Sequence, residues 1–482
     1  MLARTPSDDA HDCPARVFRG RSEPAPSTPP STPSSTPSPA PALSAFPRSP
    51  AICPAYAQRD ASVSGSSPGK PAPSRTIGRV TAALASVPGI TSLPSGQALF
   101  EVAEFFAGIG LARLGLESGG FKVTWANDLD AQKRDMYKGH FADPEDHYIL
   151  RDIREIADDI RSPLAPRRAD LAWASFPCTD LSLAGGRSGL AGEHSSTFWN
   201  FTDVVAAMGD RDGETPAVIA LENVNGFATS HKGADMKAAV ERLNKLGYWA
   251  DVVTLDARRF VPQSRPRLFV VASRLPKPLA DERRDTELRP SWLDRALDDE
   301  SIDTHRTLLP EPPPLRGAGW TDLVDADDDP SVEWWDAERV AHFESQLSGI
   351  NKARVEQLGR EPEPSYRTAY RRTRGGVPAW EIRDGDVAGC LRTARGGSSK
   401  QAVVRMQKGE PLRVRWMTAR EYAKLMGAPE YALPAKRNQA IMGFGDAVCV
   451  DAVAWLARHY LQPLLTGTLR PEPLPGQQTV SA

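Results

Sequence analysis

From residue 99 to residue 272 the chain repeats one pattern: an apolar run of strand length, a tight turn, then a stretch with helical periodicity. Parallel strands need a crossover between them, usually a helix, so this alternation predicts a doubly wound α/β sheet. Residues 99–106 read as the first strand. Ala107-Gly-Ile-Gly110 is a turn that only small residues allow, and residues 111–117 start a helix with Leu111, Leu114 and Leu116 on one side. Further strands are predicted over 122–126, 148–153, 170–176, 217–221, 249–255 and 268–272. Helices are predicted over 131–140, 197–208 and 233–246.

Outside this block the composition changes. Residues 1–95 are rich in Pro, Ser, Thr and Ala and lack the apolar periodicity that would offset their ordering entropy, so a disordered tail is expected there. Residues 96–274 form the expected first domain. Residues 275–410 are rich in Pro, Gly and charge, with basic clusters at 367–374 and 392–400, and read as a second, smaller domain. Residues 411–466 return to the first pattern, with a capped helix over 418–426, a lead-in at 443–450 and a final helix through about 461. Residues 467–482 read as a second flexible tail. A formal net charge of -2 argues against indiscriminate nucleic-acid binding and leaves a local basic face open. The five cysteines form no CxxC pair, so neither a disulfide framework nor a metal site is expected. No apolar run reads as a membrane span.

The candidate functional residues stand at strand ends. In a parallel sheet those ends share one edge, where ligands bind. Gly108 and Gly110 follow the first strand and let backbone approach a ligand. Asp128 ends the second strand and reads as a ribose-binding acid, as a helix N-cap, or as both. Asp152 and Ile153 close the third. Cys178 follows Phe176-Pro177 at the end of the fourth; alone, such a cysteine is either inert and buried or a displayed nucleophile. Residues 181–196 are polar and Gly-rich and read as a lid or a plain surface loop. Glu222-Asn223-Val224 ends the next strand. Gln263-Ser-Arg265-Pro-Arg267 carries paired arginines suited to an acidic partner or a carbonyl.

These motifs, in this order, resemble the DNA (cytosine-5) methyltransferase family over about residues 100–275 and 410–462. Phe105-Phe-Ala-Gly-Ile-Gly110 is similar to the family's S-adenosylmethionine loop, Phe176-Pro-Cys178 to its Pro-Cys motif, and Glu222-Asn-Val224 and Gln263-x-Arg265-x-Arg267 to two further motifs. Arg420-Glu421 with Leu425-Met-Gly427 resembles the ninth motif, and Gly445-Asp-Ala-Val448 the tenth. Thr179 stands where Gln is usual, Asp446 where Asn is usual, and Leu111 where Gly is usual.

The resemblance implies the fold of S-adenosylmethionine-dependent methyltransferases with a target-recognition domain, and transfer of methyl to carbon 5 of a flipped-out cytosine in duplex DNA. It implies Cys178 as nucleophile on carbon 6, Glu222 as the acid at nitrogen 3, Asn223 as its orienter, Arg265 at the cytosine carbonyl, and Arg267 supporting Glu222 or the loop. For the cofactor it implies Phe106, Gly108, Ile109, Gly110, Asp128, Leu129, Asp152, Ile153, Pro177 and Asp446. Ser182, Arg187 and Ser188 are expected at the DNA. Double-stranded DNA is the expected partner, with no membrane, a monomeric chain, a cytoplasmic location at the nucleoid, and a cognate restriction endonuclease as a candidate companion. RNA methylation by the same fold and a catalytically silent regulator are the alternatives.

Overall fold

Seven strands form the main sheet: β1 (Phe100–Phe105), β2 (Phe121–Asp128), β3 (Tyr148–Leu150), β4 (Leu171–Ala174), β5 (Val218–Asn223), β6 (Trp249–Asp256) and β7 (Pro266–Ser273). Their order across the sheet is β3-β2-β1-β4-β5-β7-β6. This is a computed structural model, and it describes residues 100–143, 147–177, 189–192, 195–212, 215–374, 376–393 and 400–469, all within the unit Ser86–Ala482. The first five strands in the order pair in parallel, whereas β7 is antiparallel to both β5 and β6. The short connection over residues 257–265 explains the reversal, because it cannot carry the crossover a parallel pair would need. The chain runs outward from β1 to β3 and then restarts on the other side of β1 with β4. The crevice between β1 and β4 is therefore the topological switch point.

Residues alternate between two cores along each strand. Phe105, Ala172, Ala174, Ile219 and Leu221 face one core, with Phe198, Phe201 and Val205 of α4 (Thr197–Asp212). Val102, Leu171, Trp173, Val218 and Ala220 face the other, which Val453, Leu456 and Tyr460 close. Because both faces are covered, every residue of β4 and β5 is buried. The segment Arg437–Leu465 has the length and hydropathy of a membrane span, contrary to the sequence reading, yet 78% of its most apolar window is buried inside the fold. It is the core layer on that face.

Local boundaries shift where side chains cap helices. β3 stops at Leu150, and Asp152 instead caps the helix Ile153–Asp158 by accepting from the Arg154 N–H. The expected lead-in at 443–450 is half helix: Arg437–Asp446 is helical, and a break follows. The boundary expected at 275 is not a change of packing partner, since Leu288 and Leu309 lie in the same core as Val271. Arg289 is fully buried there against Asp251 at 2.6 Å, and Tyr460 donates to the same carboxylate at 2.7 Å. The second sheet starts later. It joins β8 (Ser365–Arg374), β9 (Val377–Ile382), β10 (Gln401–Met406) and β11 (Arg413–Trp416) in the antiparallel order β11-β10-β8-β9.

Glu104, in the middle of β1, is 1% exposed, and among the described residues neither carboxyl oxygen has a hydrogen-bond partner. Burial raises its pKa from 4.5 to about 8, although Arg113 pulls the other way. Between those values the unfolded chain has released the proton and the folded chain keeps it. Stability therefore falls as pH rises through this window, by up to about 1.4 kcal/mol per pH unit. Glu104→Gln is expected to raise the thermal midpoint at pH 8 and leave it nearly unchanged at pH 5. An equal gain at both pH values would mean that the carboxyl is not held neutral.

Candidate active site

The turn after β1 is built from backbone that L-residues avoid. Phe106, Gly108 and Gly110 all have positive φ, at 56°, 57° and 79°. A Cβ on Gly110 would lie 2.5 Å from the Phe141 ring, so only glycine fits. At Gly108 a Cβ would meet nothing nearer than 3.9 Å, so that position needs glycine for its φ and opens onto space. Phe106 carries the strain without that excuse, a cost on the order of 1 kcal/mol held by packing of its ring against the core.

Asp128 serves this turn. Its carboxylate accepts from the Gly108 N–H and the Asp130 N–H, each at 2.9 Å. The helix Ala131–His140 is capped by Asp130 instead, which rules out the cap reading and leaves Asp128 to the loop. Two of the carboxylate's roughly four acceptor positions are used by these bonds. Beside it Leu129 is 68% exposed, an apolar side chain standing in the open at a sheet edge. Ile153 is 3% exposed and its side chain packs in the core with Phe105 and Trp125. Ile109 is also buried, beneath Gly443, and its carbonyl accepts from the Tyr431 hydroxyl at 2.7 Å. Asp446 reaches back over the turn to Lys133 at 3.0 Å. Burial pulls the Lys133 ammonium down, but Asp128, Asp446 and Asp130 around it more than reverse this and hold it protonated. Sequence reading missed Lys133; an acid at 446 in place of the usual amide was the available signal.

At the end of β4 two hydrogen bonds hold the backbone just before Cys178. The Asn223 amide donates to the Phe176 carbonyl at 3.1 Å, and the Ser195 hydroxyl donates to the Pro177 carbonyl at 3.0 Å. Asn223 thus fixes the backbone that precedes Cys178 in the chain. Cys178 itself, with Thr179, Ser182, Arg187 and Ser188, lies outside the described residues.

Glu222 is the last residue but one of β5 and is 6% exposed. The antiparallel β7 brings its own first residues to the same edge, and Arg267 Nε lies 2.9 Å from the Glu222 carboxylate. Arg265 is a correction to the sequence reading. Its side chain is turned into the protein, 1% exposed, and donates to the carbonyls of Leu391 at 2.6 Å, Gly445 at 3.1 Å and Ala447 at 2.5 Å. Alternate residues of a strand face opposite ways only where the strand is regular; here Arg265 precedes β7 and its peptide N–H is bound by Asp256. Arg265 therefore ties its own segment to two distant ones, at 391 and at 445–447, instead of facing a base. Arg265→Ala is expected to cost about 3–5 kcal/mol of stability, since it leaves buried carbonyls unpaired. Denaturant unfolding checks this, and a variant with unchanged midpoint and lost turnover would restore the base contact. Cys390 sits beside this clamp, 3.4 Å from Arg265. Burial raises its thiol, yet Arg265, Arg267 and Arg392 outweigh burial and bring it below its ordinary value.

A profile of the family described as C-5 cytosine-specific DNA methylase matches residues 100–462. The chain is 32% identical to the Type II methyltransferase M.Bsp6I of Bacillus sp. (strain RFL6) over 181 residues, 36% of this chain and 53% of that protein. Against M.HaeII of Haemophilus aegyptius it is 31% identical over 173 residues, 36% of this chain and 50% of that one. The chain thus spans about half the length of these two relatives. Against M.HpaII of Haemophilus parainfluenzae the identity is 25% over 390 residues, 77% of this chain and 92% of the relative. A solved structure, the S. pombe Dnmt2 methyltransferase, aligns with TM-score 0.49 and 17% identity over 76% of this chain and 99% of its own.

The chain belongs to the C-5 cytosine-specific DNA methylase family. Members of this family use S-adenosylmethionine as methyl donor. The turn fits that cofactor: open space and a φ-constrained backbone at Gly108, unused acceptor positions on Asp128, and the exposed Leu129 as an apolar surface for a ring.

Proposed function

We propose that this protein methylates carbon 5 of cytosine in double-stranded DNA through a covalent cysteine adduct. The observation that carries the reading is the meeting, at one sheet edge, of the Glu222–Arg267 pair and the turn into Cys178, tied together by Asn223. Carbon 5 of cytosine is a weak nucleophile. The Cys178 thiolate adds to carbon 6, which makes the ring an enamine and loads electron density onto carbon 5. Glu222 holds a proton at nitrogen 3 as that atom gains basicity, with Arg267 fixing its carboxyl. S-adenosylmethionine, when bound by the Gly108–Asp128 turn, supplies an electrophilic methyl group. The carbon 5 proton then passes to water, the carbon–sulfur bond breaks, and Cys178 regains its thiolate.

A paired cytosine cannot reach this edge, so the base leaves the stack. The second sheet, with the basic strand β8, is the proposed reader of flanking sequence, through arginines and lysines that hold phosphates and guanine edges. Mapping 5-methylcytosine in DNA and RNA from cells that express the chain tests activity, substrate and sequence context together. Modified cytosine at a recurrent DNA sequence is the expected result. Modification confined to RNA would replace the substrate, and none in either would overturn the reading.

A further inference from the structure

A cavity of about 500 Å³, a size typical of small-molecule sites, opens between the second sheet and the helix Arg437–Asp446. Its walls are aromatic. Trp335, Trp380 and Trp416 lie within 5.9 Å of one another by ring centroids, and the Arg339 guanidinium sits 4.1 Å over Trp335. Arg371 stands opposite Trp380 across the β8–β9 ladder, and Lys400 reaches Asn438 at 3.0 Å on the far wall. Among the described residues no Asp or Glu lines the space.

Each property narrows the occupant. Indole walls favour a flat ring, and the cationic rim selects an anion and repels an ammonium group. We infer that this cavity is a second nucleotide site, separate from the catalytic edge, that takes an unpaired nucleobase with its phosphate. The base stacks on the indoles, and Arg339 and Lys400 face the phosphate. The helix Arg437–Asp446 lines the cavity through Asn438 and Met442 and covers the cofactor turn through Gly443 and Asp446. Occupancy here therefore bears on the element that packs over the Gly108 turn.

The test uses the full chain with Cys178→Ser, without cofactor, so that binding is read apart from methyl transfer. Labelled deoxynucleoside monophosphates and short single-stranded oligonucleotides are titrated by equilibrium dialysis and tryptophan quenching. Saturable binding, weakened about tenfold by Arg339→Ala and by Lys400→Ala at unchanged thermal midpoints, is the expected result. Arg339 is exposed, so its removal does not threaten the fold. Binding of the monophosphates assigns a free nucleotide, and binding of the strands alone assigns a base from DNA. No saturable binding, binding indifferent to both variants, or occupation by a peptide from the Pro-rich residues 27–37 instead would each overturn the site. Parallel transfer assays on the Cys178 chain judge the catalytic reading independently.

Discussion

Cys178→Ser is expected to lower methyl transfer by at least about 10³-fold while leaving S-adenosylmethionine and DNA affinity nearly unchanged. The thiol ionises near pH 8.5 in ordinary surroundings, whereas a serine hydroxyl stays protonated at any working pH, so only the former offers a usable anion. The backbone that presents it is already held: Asn223 binds the Phe176 carbonyl and Ser195 binds the Pro177 carbonyl. Serine preserves that backbone, so the loss isolates the chemistry of one atom. DNA containing 5-fluorocytosine extends the test, since fluorine cannot leave carbon 5 as a proton does. The unchanged chain should form a stable protein–DNA adduct in the presence of S-adenosylmethionine, and the serine variant should form none. Full turnover by the variant, or an active enzyme that leaves no adduct, would remove the covalent mechanism.

Glu222→Gln is the second large effect, expected to reduce kcat by roughly 10²–10⁴-fold with little change in KM for the cofactor. Glutamine keeps the shape and a hydrogen bond to Arg267, but its amide has no acidic proton to share with nitrogen 3. Arg267→Ala should behave differently. It strands a 6% exposed carboxylate without its 2.9 Å partner, so stability falls as well as activity, by about 3–5 kcal/mol. The double variant Glu222→Gln/Arg267→Ala should recover part of that stability and none of the activity, because no charge is then left alone. Strict additivity of the two single changes would show that the pair is not coupled.

Much of the site was legible because strand ends are legible. An apolar run that stops at Gly108, Asp128, Pro177 or Glu222 announces a residue at the carboxyl edge, and parallel pairing brings those edges together. The arginines were not separable in this way. Gln263-Ser-Arg265-Pro-Arg267 offers two identical guanidinium groups, and which one meets Glu222 depends on where β7 begins and on carbonyls far along the chain at 391, 445 and 447. The cap of α2 (Ala131–His140) was ambiguous for the same reason: Asp128 and Asp130 are equally suited by type, and backbone direction chose Asp130. Lys133 escaped notice because its partner Asp446 lies on a helix that returns only after the second sheet.

The amino-acid order alone determined the alternation of strand and helix, the glycines of the first turn, and the candidate nucleophile and acid. These are local properties of spacing and side-chain type. Tertiary structure decided what no local pattern encodes: the Glu222–Arg267 pairing, the inward clamp of Arg265, the burial of Glu104, and the indole-walled cavity. Each depends on segments distant in sequence, and a side chain's role follows from the partners that packing brings to it.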